Sequence, residues 1–179
     1  MNKYANIEEI FKKFECPDYK FIRSSDIVVS QWVRMKCMFG CSGFGKSLSC
    51  PPNVPSIAEC REFFKEFEEA VLFHFTMKVI KPEDRKLLSD KINGDLLNVE
   101  REVFLSGLYR AFMLPVNECH RCVKCCGKKE SCPHSEKVRP MPEAMGVDLF
   151  ATANRAGYPV KVLKNYDETM NRYAILMLE

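Results

Sequence analysis

Apolar residues recur along this chain with two periods, and the changes from one period to the other predict its elements. Ile7, Ile10, Phe11 and Phe14 fall on one face of a short helix that Pro17 ends, with Asn6 and Glu9 as a weak capping signal. Residues 26 to 37 (DIVVSQWVRMKC) are rich in β-branched and aromatic side chains and predict a strand with Trp32 in the core. Ser56 and Glu59 form the S-x-x-E capping box of a helix running to about Glu69, whose buried face is Phe63, Phe64 and Phe67. Residues 70 to 80 (AVLFHFTMKVI) are apolar at successive rather than alternate positions, the pattern of an inner strand covered on both faces. His74 in its middle reads as a hydrogen-bonded core histidine.

Pro82, Glu83 and Asp84 start a long helix, which Leu88, Ile92, Leu96, Val99 and Val103 continue to about Met113, with a kink at Gly94 and a stop at Pro115. Pro142 and Glu143 open the last helix, PEAMGVDLFATANRA, which Gly157 caps in the left-handed conformation. Strands at 158–164 and 172–178 follow, joined by NYDETMN as a hairpin. This order predicts an α+β fold, a mixed sheet packed by helices. A chain of 179 residues suits one domain, 1–179, with a cysteine-rich metal-binding insertion at 115–140.

A formal charge of +3 is too small for a general nucleic-acid or membrane-surface binder. Residues 1 to 16 carry acidic residues and lack a long apolar run, and no stretch of about 18 apolar residues occurs elsewhere. The expectation is a soluble, cytoplasmic protein. Cysteine changes the picture most, because five of the ten fall between Cys119 and Cys132. Cys119, Cys122, Cys125 and Cys132 read C-x2-C-x2-C-x6-C followed by Pro133, close to the ferredoxin run that wraps a cubane cluster. A zinc site presents two separated C-x2-C knuckles, so the third cysteine at the same spacing favours iron. Cysteines this dense without an export signal point to metal rather than disulfides. Arg121, Lys124, Lys128, Lys129, Lys137 and Arg139 interleave with them, which suits either a net-negative cluster or a solvated basic loop.

An earlier run, CMFGCSGFGKSLSCPP, places Cys37, Cys41 and Cys50 as C-x3-C-x8-C and also ends in Cys-Pro. Three thiolates leave one iron of a cluster open, and Cys16, Cys60 or Cys126 are candidates for a fourth ligand. In two-cluster ferredoxins the Cys-Pro cysteine serves the other cluster, so Cys50 and Cys132 are candidates for exchange between sites. Gly40, Gly45, Lys46 and Ser47 match the phosphate-loop letters, but prolines occupy the place where the phosphate-holding helix must start, so nucleotide binding is not expected. The glycines fit a backbone that bends around a cluster and donates N–H groups to sulfur. His120 and His134 sit beside ligand cysteines and are lesser candidates; Cys60 reads as a small core residue.

The segments GKSLSCPP, EREVFLSGLYRAF, CHRCVKC and RPMPEAMGVDLFATANRAG together resemble a family of cysteine-rich predicted metal-binding proteins of uncharacterised role, found largely in anaerobic microbes. The resemblance runs from about Val33 to Gly157. It implies metal binding through Cys37, Cys41, Cys50, Cys119, Cys122, Cys125 and Cys132, and implies no reaction. Three readings follow: an iron–sulfur protein, with one or two 4Fe-4S clusters, serving a redox partner protein or small molecule; an enzyme using an open three-cysteine cluster; and a zinc-stabilised interaction module.

Overall fold

A computed structural model of the protein describes residues 4–78, 81–158, 160–165 and 167–179. In chain order, the helices are α1 (Ala5–Lys13), α2 (Gln31–Gly40), α3 (Ile57–Lys65), α4 (Pro82–Leu105) and α5 (Leu149–Arg155). The strands are β1 (Tyr19–Arg23), β2 (Glu69–Met77), β3 (Phe112–Leu114) and β4 (Met170–Met177). They form one sheet in the order β1-β2-β4-β3, and every pairing is antiparallel rather than mixed in direction. The α+β class is as the hydrophobic pattern implies.

The unbroken apolar run of β2 follows from burial on both faces. Val71, Phe73 and Phe75 meet α1 and α4 through Phe11, Leu96 and Val103, whereas Ala70 and Leu72 meet α3 and α5 through Phe64 and Ala153. β4 divides likewise, with Ala174 and Leu176 on the first face and Ile175 and Met177 on the second. At about 1.5–3 kcal/mol per large apolar side chain removed from water, these two layers supply the main favourable term in folding. The capping box forms as expected: Glu59 N donates to Ser56 Oγ at 3.3 Å and Ser56 N donates to Glu59 Oε2 at 2.8 Å. Phe64 and Phe67 are buried, and Phe63 packs partly exposed beside them. His74 is bonded on both sides, by Asp18 at 3.0 Å and Asn171 at 2.8 Å, and stacks on Tyr173.

Four expectations are corrected. Residues 31–40 are helix, not strand: Gln31, Arg34, Met35 and Lys36 are good helix formers, and only Val33 is buried, leaving Trp32 47% exposed. Extended backbone survives only just before α2, where Val29 bridges Val147 and Ser30 N donates to Gly146 O. The long helix is unbroken at Gly94 but ends at Leu105 rather than near Met113, because the chain must reverse to lay β3 beside β4. The expected helix from Pro142 is two elements, a short 3-10 turn (Pro142–Met145) and α5, separated by Gly146 at φ +78°. Asp148 caps the second by accepting from Ala151 N at 3.0 Å, and Gly157 ends it at φ +78° as expected. Residues 160–164 form no strand; Lys164 N and Asn165 N donate to Glu168 Oε1 in a polar turn before β4. Residues 159 and 166 of the expected hairpin lie outside the described residues.

Candidate metal centre

The first cysteine run begins on a helix and closes through a loop bonded to itself. Cys37 lies in the last turn of α2 and Cys41 directly after it. Beyond them Gly45 N donates to Pro51 O at 2.9 Å, Lys46 N to Gly43 O at 3.0 Å and Asn53 Nδ2 to Ser47 O at 3.0 Å, which turns the chain back and returns Cys50 towards the helix end. Gly43 N donates to Cys41 Sγ at 3.3 Å, the N–H-to-sulfur bond expected of a cluster loop. Burial pushes the Cys50 thiol up to about 11, and the charges of Glu118, Cys41 and Cys37 add to it. Cys37 is pushed up by burial and then by Cys41. The three thiols therefore lie within each other's electrostatic reach, and a bound cation would reverse the penalty that each imposes on the others.

The second run starts where β3 ends. Val116 N donates to Asn93 Oδ1 at 3.0 Å and Asn93 Nδ2 donates to Asn117 O at 3.1 Å, so α4 fixes the loop's entry. Arg139 fixes its exit: its Nε donates to both carboxylate oxygens of the buried Glu100 at 2.9 and 3.1 Å, while Met113 N donates to the same carboxylate at 3.2 Å. One carboxylate on α4 thus holds both ends of the cysteine loop. Inside it, Cys119 N donates to Ser49 Oγ at 2.9 Å, which brings the two runs together beside Cys50. Cys122, Cys126 and Cys132 share a second neighbourhood. The backbone bond from His134 favours the Cys132 thiolate, but desolvation and the charges of Cys126 and Cys122 outweigh it and raise its pKa. Cys126 Sγ donates to Lys128 O at 3.2 Å, and backbone bonding at Lys128 lowers its pKa.

All ten cysteines are free thiols. Among the described residues, no three His, Cys, Asp or Glu side chains stand close enough as placed to hold a single metal ion. The donor chemistry, thiols on short glycine-bearing loops, fits a soft metal centre. Cys60 is fully buried in the core against Met145 Sδ, as the sequence reading expects, and Cys16 packs near the α1–α4 layer, its thiol pushed up to about 11 by burial. His120 has both ring nitrogens on carboxylates, Asp90 at 3.0 Å and Glu118 at 3.1 Å, and is not free to ligate as placed. No helix follows Ser47, whose hydroxyl is buried against Ser49, and the next one starts only at Ile57.

Glu100, Ser49 and Glu118 escaped the sequence reading. Glu100 falls at helical spacing with Leu96 and Val103, an acidic residue on an apolar face, and that was its one available signal. A family model described as "Predicted metal-binding protein (DUF2284)" matches residues 20–178. Comparison with curated proteins and with solved structures returned no match.

Proposed function

The chain belongs to the DUF2284 family of predicted metal-binding proteins, and we propose that its metal is an iron–sulfur cluster, a 4Fe-4S cubane, serving electron transfer in the cytoplasm. Cys119, Cys122, Cys125 and Cys132 hold one cluster, and Cys37, Cys41 and Cys50 hold a second or lend ligands to the first. The observation that carries the reading is the Cys119 N to Ser49 Oγ bond, which joins two Cys-Pro runs from distant parts of the chain. When bound, such a cluster supplies one-electron chemistry at a potential tuned by hydrogen bonds to sulfur and by solvent access. The protein's own share is to hold the loops: Glu100 and Arg139 clamp the second, and Gly43 N–H softens the charge on Cys41. Its partner is a redox protein or a small molecule, with neither nucleic acid nor membrane involved. Among the described residues, no helix is long and apolar enough to cross a membrane.

A second reading, an enzyme with an open iron at the three-cysteine run, is favoured by one observation: Cys37 and Cys41 also line a cavity of about 660 Å³. Protein purified without oxygen is expected to be brown and to contain iron and acid-labile sulfide in near-equal amounts. Stoichiometric zinc without sulfide, in material reconstituted with both metals, would make it the zinc-stabilised module instead.

A further inference from the structure

The cavity beside Cys37 and Cys41 has a construction of its own. Its walls come from α2, the start of α5, residues 160–163 and the first half of β4, with Glu143 among the lining residues. A volume of about 660 Å³ lies in the range of small-molecule sites. Three of the large apolar side chains that the fold leaves exposed line it, Trp32 at 47%, Phe150 at 44% and Val162 at 76%. Scattered exposed apolar residues are ordinary, but several gathered on one concave surface mark a place where something binds.

Two buried polar atoms in the same cavity have no partner. Glu143 Oε2 and Arg172 Nε make no hydrogen bond among the described residues; burial pushes the Glu143 carboxyl up, and the nearby charge of Arg172 only partly opposes it. Folded proteins seldom leave such atoms unpaired, because each has lost its water and gained nothing. The other charged groups at the cavity are already engaged. Lys36 lies over the Trp32 ring, Lys161 pairs with Glu168, and Asp148 caps α5. What remains is one acceptor and one donor, set among largely apolar walls.

We propose that this cavity binds a small, neutral ring molecule bearing an N–H donor and a carbonyl acceptor, seated with one edge against Cys37 and Cys41. The N–H donates to Glu143 Oε2 and the carbonyl accepts from Arg172 Nε. Burial opposes charge on the Glu143 carboxyl and the walls are largely apolar, so a charged ligand would give up its water there for at most one charged partner. Trp32 and Phe150 supply surfaces on which a flat ring packs. The site does not need the metal; with a cluster at Cys37, Cys41 and Cys50, the ligand lies beside it.

The test uses the full chain purified without oxygen, with quinolin-2-one, a neutral bicyclic lactam, as probe and calorimetry as readout. Saturable one-to-one binding is expected. 2-Methoxyquinoline, which keeps the shape and loses the N–H, and quinoline-2-carboxylate, which adds a charge, are each expected to bind at least about tenfold more weakly. Glu143→Leu is expected to weaken quinolin-2-one by a similar factor while raising the thermal midpoint, because it removes an unpaired buried carboxyl; Arg172→Gln repeats the binding measurement with the carboxyl intact. Absence of quinolin-2-one binding, equal binding of the three probes, or a Glu143→Leu variant that is less stable yet binds as before overturns the inference. Iron and sulfide are assayed on the same samples. Probe binding without iron leaves the pocket standing and removes the cluster, and iron without probe binding does the reverse.

Discussion

Cys126 stands where two lines of reasoning meet. Its neighbour Cys125 completes the C-x2-C-x2-C spacing, yet Cys126 is the one whose side chain interacts with Cys132 and whose sulfur bonds to Lys128 O. Backbone bonding at Lys128 lowers the Cys126 pKa and so does not set it apart from a ligand thiolate, which leaves the spacing to favour Cys125. Cys125→Ser is therefore expected to lose most of the iron of the second run and Cys126→Ser to keep it, read by iron and sulfide per chain after purification without oxygen. The reverse outcome would give the ligand position to Cys126. Spacing made the cysteines visible in the sequence, and it is also why adjacent cysteines could not be told apart. Glu100 and Ser49 were less legible for a different reason: their importance lies in partners, Arg139 and Cys119, that only the folded chain brings to them.

Elements were legible where one physical signal acted alone. Both faces of β2 are covered, so its apolar run pointed unambiguously to an inner strand, and the capping box at Ser56 placed the start of α3. Signals in competition misled. In DIVVSQWVRMKC the β-rich first half pairs briefly with residues 146–148, and the helix-forming second half becomes α2, which places Cys37 beside Cys41. In PEAMGVDLFATANRA the helical spacing is real on both sides of Gly146, but that residue turns left-handed, and a Cβ there would run into Ile57 Cδ1. Ala at 146 would meet a backbone penalty and a packing clash together, so Gly146→Ala is expected to destabilise by about 2–4 kcal/mol in urea unfolding. Adding Ile57→Val, which removes the Cδ1 atom, should recover the packing part and leave the backbone part. If the single variant unfolds with the wild type, the break in the helix rests on something other than Gly146.

The fold brings two segments far apart in sequence, at Ser49–Cys50 and Glu118–Cys119, into contact. β2 and β4 form the centre of the sheet; α2 and its loop lie on the α3 side of it, and the second loop hangs from β3 at the sheet edge with α4 as its clamp. Ser49 and Cys119 then meet across 70 positions. Sequence spacing alone leaves open whether the runs are two sites or one, because convergence is a property of the sheet order and not of either motif. The charges of Cys37, Cys41 and Glu118 act on Cys50, whereas those of Cys122 and Cys126 act on Cys132, so each run keeps its own thiol neighbourhood even as the backbones touch. Two neighbourhoods favour the two-cluster form of the proposal, in which each run loses its own metal. Cys37→Ala with Cys41→Ala should remove about half the iron, and Cys119→Ala with Cys122→Ala the other half, provided circular dichroism shows each variant folded. The clamp makes that condition reasonable, since Glu100, Arg139 and Asn93 hold the second loop by contacts that involve no cysteine side chain. Complete loss from either pair would mean a single cluster with ligands drawn from both runs. Unchanged iron in the first pair would make Cys37, Cys41 and Cys50 structural and would end the open-iron reading, leaving the cavity beside them to be judged by its own ligand.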